Sequence, residues 1–309
     1  MYKGNISDID GIICGHAQYN DAMTGCTTII CEGGAVASVD VRGAAPGTRE
    51  TDVFTPGNLI NTAHAIVLCG GSAFGLDAAG GVMAELEARG IGIDTGFAKV
   101  PIVAAAVLFD LGVGRADIRP DANMGRQAAR AAGKSAAQGR VGAGIGASVG
   151  KAYGPQYAMA GGIGMATVAA GEALVSAIIA VNAWGDVLNH NTLDIIAGAR
   201  DESGKWLDSY KKAVSGDAWG LAGTNTVIGV IATDAVFDSG AAKRIAQAGH
   251  DGLAMAIRPS HTMFDGDTLF SLCTGKVHAD INAVCAAAAE AAARAVENAV
   301  TAERHAKGE

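Results

Sequence analysis

Thr226 stands at the start of a period-2 apolar run, Thr226-Val227-Ile228-Gly229-Val230-Ile231-Ala232-Thr233, directly after the small turn Leu221-Ala222-Gly223-Thr224-Asn225. The run reads as a buried strand. Breaking the chain between Asn225 and Thr226 would leave a threonine carrying both its hydroxyl and a free α-amine on a rigid element. That single residue would then hold a nucleophile and its base. An α-amine titrates near pH 8, so a useful fraction is neutral at pH 7 and can accept the hydroxyl proton. The plainer alternative is a turn leading into a β-branched strand residue.

A second segment carries paired acids, Arg258-Pro259-Ser260-His261-Thr262-Met263-Phe264-Asp265-Gly266-Asp267-Thr268. In an extended turn, residues i and i+2 point to one side, so Asp265 and Asp267 could hold an ammonium or a hydroxyl network together. The alternative here is an ordinary Asp-Gly surface turn.

Other patterns do not hold up. Gly142-Ala143-Gly144-Ile145-Gly146-Ala147-Ser148-Val149-Gly150-Lys151 has Ile145 where a phosphate loop needs glycine, and Ala152 where it needs Ser or Thr. It fits a dinucleotide pattern only in its final-alanine form and has no acid about twenty residues on. Gly71-Ser72-Ala73-Phe74-Gly75 has one residue too many for a nucleophile elbow. The seven histidines form no His-x-x-x-His pair, so no metal site is expected, and no cofactor either.

The elements that must position these residues follow from periodicity. Cys26–Cys31 and Ala35–Val41 read as strands flanking a Glu32-Gly33-Gly34 hairpin, and His64–Cys69 as a third strand. Leu76–Arg89 has helical spacing with Gly90 as its stop, and Met124–Ala132 is a second helix. Ala158–Ala170 and Ala173–Ala183 are apolar throughout, which leaves strand and helix both open. Asp186–Asp217 is polar and reads as a surface excursion ahead of the cleavage point. Beyond Thr226 come a helix near Ala241–Ala248, strands at Leu253–Ile257 and Leu269–Cys273, and an alanine-rich helix from about Asp280 to Lys307. Alternating strands and helices predict a layered α/β or α+β sandwich.

Composition narrows the function classes. The 309 residues are 50% hydrophobic and only 17% charged, which suits a large core, a large subunit interface, or both. The net charge is −8, with no basic tract and 5% aromatic residues, so neither nucleic acid nor a membrane surface is an expected partner. The 44 glycines are dispersed among apolar segments, about twice the usual frequency. Cys14, Cys26, Cys31, Cys69, Cys273 and Cys285 show no Cys-x-x-Cys spacing and read as reduced thiols of a cytoplasmic protein. Met1–Asp8 lacks a signal-peptide core, and no run of 18 apolar residues suggests a span.

Taken together, Arg42-Gly43-Ala44-Ala45-Pro46-Gly47-Thr48-Arg49-Glu50-Thr51-Asp52, Gly70-Gly71-Ser72-Ala73-Phe74-Gly75-Leu76-Asp77-Ala78-Ala79, Gly223-Thr224-Asn225-Thr226 and Phe264-Asp265-Gly266-Asp267-Thr268 resemble the DmpA-type peptidase family. The likeness spans nearly the whole chain in the same order. Asn-Thr at the junction and the later Asp-Gly-Asp are most similar to the branch of endo-type 6-aminohexanoate oligomer hydrolases. The aminopeptidase branch has a serine nucleophile and a Ser-x-Glu pair instead.

The resemblance implies one αββα domain over residues 1–309, cut by itself into chains 1–225 and 226–309, which assemble as heterodimers into a homo-oligomer. It also implies a small linear amide or peptide as substrate. By the same resemblance Thr226 is the nucleophile, Asp265 and Asp267 orient it and its amine, Lys151 is an active-site lysine, and Asn182 donates to the oxyanion. Phe109 falls where the nylon-oligomer enzymes carry a tyrosine near the substrate, so a hydroxyl is missing there. Aminopeptidase or amidase action on small peptides is the rival reading within this chemistry. An unprocessed binding protein of the same fold is the rival outside it.

Overall fold

A computed structural model describes residues 1–220 and 223–306. Leu221 and Ala222 of the predicted turn, and Lys307 at the predicted end of the last helix, lie outside the described residues. The main strands are β1 (Ile12–Tyr19), β2 (Thr24–Val41), β3 (Thr62–Cys69), β4 (Val103–Val107), β5 (Gly162–Ala170), β6 (Ala173–Asn182), β7 (Thr226–Ala235) and β8 (Thr268–Val277). The main helices are α1 (Ala78–Ala88), α2 (Ala122–Arg130), α3 (Ser239–Ala256) and α4 (Ile281–Ala306).

Among the described residues, nine strands form one hydrogen-bonded sheet: eight follow the order β5-β6-β7-β8-β2-β3-β4 and then Thr48–Arg49, and β1 pairs with β2 off that path. The 18-residue β2 is long enough to serve two layers. Its first half pairs with β1 and β3, and its second half pairs with β8. The path therefore folds back on itself as two stacked sheet halves.

Side-chain alternation shows the layering. In β7, Val227, Ile231 and Ala235 pack with α3 and α4, whereas Ile228, Val230 and Ala232 pack between the sheet halves. In β2 and β3, Cys26, Ile30, Ala65 and Val67 pack on α1 and α2, while Ile29, Ile66 and Leu68 face inward. The order of layers is helix, sheet, sheet, helix: the expected αββα sandwich. Each fully buried Ile or Leu contributes about 1.5–3 kcal/mol relative to leaving it exposed, and the inner layer holds Ile6, Ile9, Ile12, Ile29, Ile66, Leu68 and Phe270 at 1% exposure or less.

Three expectations are corrected. Glu32-Gly33-Gly34 is not a hairpin turn. It is an irregularity within continuous β2, where the register against β3 slips between Ile30 and Ala35. Both flanking runs find partners on other strands, so they need not pair with each other. Leu253–Ala256 continues α3, and only Ile257–Arg258 is strand. Its apolar residues belong to the helix period, as burial of Gly249, Leu253 and Ala256 on one face shows. Asp186–Asp217 is not wholly a surface excursion. Asp186–Leu188 is buried and sits in a three-stranded sheet with Ile195–Ala197 and Ile257–Arg258. Ala158–Ala170 and Ala173–Ala183, left open between strand and helix, resolve as the paired strands β5 and β6.

All six cysteines are free. No helix among the described residues is long and apolar enough to cross a membrane.

Candidate active site

Thr226 is the first residue of β7 and lies opposite Asn182, the last residue of β6. Directly opposed residues on antiparallel strands project to the same face. By the alternation above, that face is the space between the two sheet halves. Thr226 is 3% exposed and Asn182 is fully buried. The Thr226 hydroxyl donates to the carbonyl oxygen of Asn225.

The Asp265–Asp267 turn grips this junction from the side. Asn225 bridges to Asp265 in parallel fashion, and the Gly266 N–H donates to the Asn225 carbonyl oxygen at 3.0 Å. The segment just after β2 clamps the turn from behind: Ala45 N–H donates to Asp265 O at 2.9 Å, and Arg42 N–H to Asp267 O at 3.0 Å. Gly266 has to be glycine for this fit. A Cβ there would lie 2.5 Å from Ala45 O and 3.0 Å from Thr226 Oγ1.

The two acids divide the work. Asp267 Oδ1 accepts from Val227 N–H at 2.7 Å, and its Oδ2 accepts from His261 Nδ1 at 2.7 Å and His261 N–H at 3.2 Å. Asp265 Oδ2 accepts from the Thr262 hydroxyl at 2.6 Å and the Thr262 N–H at 2.9 Å. Asp265 Oδ1 is buried with no hydrogen-bond partner. Burial, and then the neighbouring charge of Asp267, push the Asp265 carboxyl up to about 6. Such a carboxyl favours a cation or a proton beside it.

Lys151 is 6% exposed. Its Nζ donates to Asn182 Oδ1 at 2.7 Å and to Asn182 O at 3.2 Å. Burial lowers its pKa to about 7, with Asp265 pulling the other way. Both of these Lys151 Nζ hydrogen bonds go to Asn182, and the Asp265 charge acts on the lysine through space. The loop bearing Lys151 is held by Gly150 N–H to Gly185 O at 2.9 Å and Lys151 N–H to Trp184 O at 2.8 Å. Gly150 has φ +76°, and a Cβ on it would strike the backbone of Gly198 and Ala199 at 2.1–2.5 Å. The loop can approach that closely only with glycine at this position.

Asn182 connects the parts. Its Oδ1 accepts from Lys151 and from Ser148 N–H at 3.0 Å, and its Nδ2 donates to the Phe109 carbonyl at 3.0 Å. Phe109 thus joins through its main-chain carbonyl. Trp184 and Phe264 pack with ring centroids 5.5 Å apart, and Trp184 Nε1 donates to Trp219 O at 2.8 Å.

Thr226, Asn182, Lys151, Asp265, Asp267 and Phe109 O therefore converge at one end of the inner layer. Sequence reasoning gave no role to His261, Thr262 or the Gly266 N–H. His261 lay inside the acid-bearing segment, six residues before Asp267, but nothing in a single chain marks a histidine that hydrogen-bonds within its own loop.

Known proteins agree with this architecture. The model of peptidase family S58 matches residues 4–309. An uncharacterized aminopeptidase of Mycobacterium bovis is 40% identical over 325 residues, covering 94% of this chain and 92% of that protein. A 6-aminohexanoate-oligomer endohydrolase of Kocuria sp. is 31% identical over 277 residues, covering 87% of this chain and 75% of that protein. Among solved structures, an L-aminopeptidase D-Ala-esterase/amidase from Ochrobactrum anthropi, described as a variant of the Ntn hydrolase fold, superposes with a TM-score of 0.71 at 17% identity, covering 97% of this chain and 88% of that one.

Proposed function

The chain belongs to peptidase family S58, whose members hydrolyse amide bonds, and on that premise we propose a self-processing hydrolase with Thr226 as its N-terminal nucleophile. The observation that carries the reading is the junction itself: the Thr226 hydroxyl rests on the Asn225 carbonyl while the Gly266 N–H holds that same oxygen.

In self-cleavage, Thr226 Oγ attacks the carbonyl carbon of Asn225. Lys151, half neutral near pH 7, takes the hydroxyl proton. The Gly266 N–H stabilises the charge developing on the carbonyl oxygen. The C–N bond breaks as the nitrogen gains a proton, leaving an ester on Thr226 Oγ and a free α-amine. Water hydrolyses the ester, giving chains 1–225 and 226–309. The orphaned Asp265 Oδ1 supplies an acceptor for the new ammonium, and Asp267 keeps Val227, and so Thr226, in place.

In turnover, Thr226 Oγ attacks the substrate amide and its own amine carries the proton to the leaving amine. The Nδ2 group of Asn182 donates to the oxyanion, and water then releases the acyl group. The substrate class is a short linear amide, with 6-aminohexanoate oligomers as the leading case. Aminopeptidase or amidase action on small peptides is the second reading, favoured by the higher identity to the Mycobacterium bovis aminopeptidase than to the endohydrolase. Incubating purified protein with linear 6-aminohexanoate oligomers and with amino-acid amides, and following new amines, separates them. Faster release from the oligomers supports the first; faster release from amino-acid amides overturns it.

The low charged fraction supports assembly of processed heterodimers into a homo-oligomer. The six free thiols support a cytoplasmic setting.

A further inference from the structure

We propose that His261 is a positioning residue for the nucleophile, holding Asp267 from behind and coupling its own protonation to the charge beside Thr226. The inference rests on the reading above.

Three observations carry it. First, Asp267 bridges two partners. One carboxylate oxygen takes the Val227 N–H, next to the nucleophile, and the other takes both the ring and the main-chain N–H of His261. Asp267 is 1% exposed, so its rotamer and charge depend on these donors. Second, His261 holds φ +56°. A non-glycine residue in the left-handed region is strained unless its surroundings fix it there. That backbone lets the ring and the main-chain N–H of one residue both reach Asp267 Oδ2. Third, the back of the ring is occupied. His250 of α3 meets it edge-on, with centroids 4.9 Å apart, and His250 Nε2 lies 3.0 Å from Asp40 O. Asp40 is in turn paired with Arg42 and Lys243. This packing leaves His261 little freedom to turn from Asp267.

The groups facing His261 are Asp267 in its own loop, His250 from α3, and Arg42 from the segment just after β2. Burial alone would lower its pKa, but the Asp267 hydrogen bond and charge reverse this, and the net shift is upward. His250 goes the other way, driven by burial down to about 4, so it stays neutral near pH 7. Of the two rings, His261 is the one whose surroundings favour the charged form. Protonated, it offsets Asp267. Neutral, it keeps Nδ1–H as a donor but leaves the carboxylate charge uncompensated, which raises the affinity of the Thr226 amine for its proton.

Two variants and one titration test this. His261→Ala should slow both self-cleavage and amide hydrolysis by roughly 10- to 100-fold, taking as a guide the range for residues that orient a metal ligand from behind, with kcat falling more than KM. His261→Asn keeps a donor near the Nδ1 position, and asparagine tolerates the left-handed backbone. It should recover most of the rate while its pH profile lacks one ionisation present in the parent. Independently of activity, NMR titration of His261 in the uncut Thr226→Ala protein should show a midpoint that falls when Asp267→Asn is added.

Parental rates in His261→Ala, an unaltered pH profile in His261→Asn, or a midpoint indifferent to Asp267→Asn would each overturn the proposal. If His261→Ala does not fold, the asparagine variant and the titration decide. A parent chain that neither cuts itself nor hydrolyses amides would sink the proposed function, yet leave the titration result standing.

Discussion

The main-chain N–H of Gly266 donates to the carbonyl oxygen of Asn225 at 3.0 Å. A turn that carries two acids is thereby docked on the Asn225–Thr226 peptide bond, the one proposed above to be cleaved. Gly266→Ala would put a methyl group 2.5 Å from Ala45 O and 3.0 Å from Thr226 Oγ1, so the turn must withdraw. Self-cleavage should slow by about 100-fold or more, as for loss of an oxyanion donor. A denaturing gel followed over time checks this; two fragments appearing at the parental rate would remove Gly266 from the account.

Self-cleavage should depend on the free base of Lys151. In full-length precursor collected uncut in denaturant and then refolded, the first-order rate of cleavage should rise as pH passes through about 7 and level off above it. Lys151→Arg, charged at every accessible pH, should remove that rise. A rate independent of pH from 6 to 8 in the parent contradicts the role given to Lys151.

The same lysine makes a stability prediction. Its folded pKa is depressed from 10.5 to about 7, so the folded state prefers the neutral form. The cost of burying it is full below about 7 and is relieved as pH rises toward 10.5. Each unit is worth about 1.4 kcal/mol, so the relief between pH 7 and 9 is roughly 2–3 kcal/mol. In the uncut Thr226→Ala background, Lys151→Met should therefore raise stability more at pH 6.5 than at pH 9, by about that amount. The lost hydrogen bond to Asn182 enters at both pH values and largely cancels in the difference. Urea unfolding at the two pH values measures it, and equal effects would show that Lys151 carries no buried charge.

Asn182→Ala removes the partner of Lys151 Nζ and the donor proposed for the substrate oxyanion. Amide hydrolysis should fall by roughly 100-fold in kcat, with KM changing little. Steady-state kinetics on processed protein decide; a rise in KM alone would make Asn182 a binding residue only.

Much of this was legible in the chain because it rests on local pattern. Thr226 opens β7 where period-2 alternation begins, and α1 ends where Gly90 takes φ +73°. The layers followed from strands and helices in alternation. What stayed hidden depends on distant partners. Nothing in Glu32-Gly33-Gly34 says that its two flanks will pair with β1 and β8 instead of each other. Leu253–Ala256 reads as strand until Gly249 and Leu253 are seen on one buried helix face. At the site, residue types were visible but their bonds were not: Lys151 finds Asn182 and not a carboxylate, Phe109 contributes a carbonyl, and His261 reaches Asp267 through a left-handed backbone.

Intact mass and N-terminal sequencing of purified, active protein test the nucleophile directly. Two chains should be found, 1–225 and 226–309, the second beginning Thr-Val-Ile-Gly, while Thr226→Ala should give one uncut chain without amidase activity. Full amidase activity from an intact chain of 309 residues, or from Thr226→Ala, would contradict it.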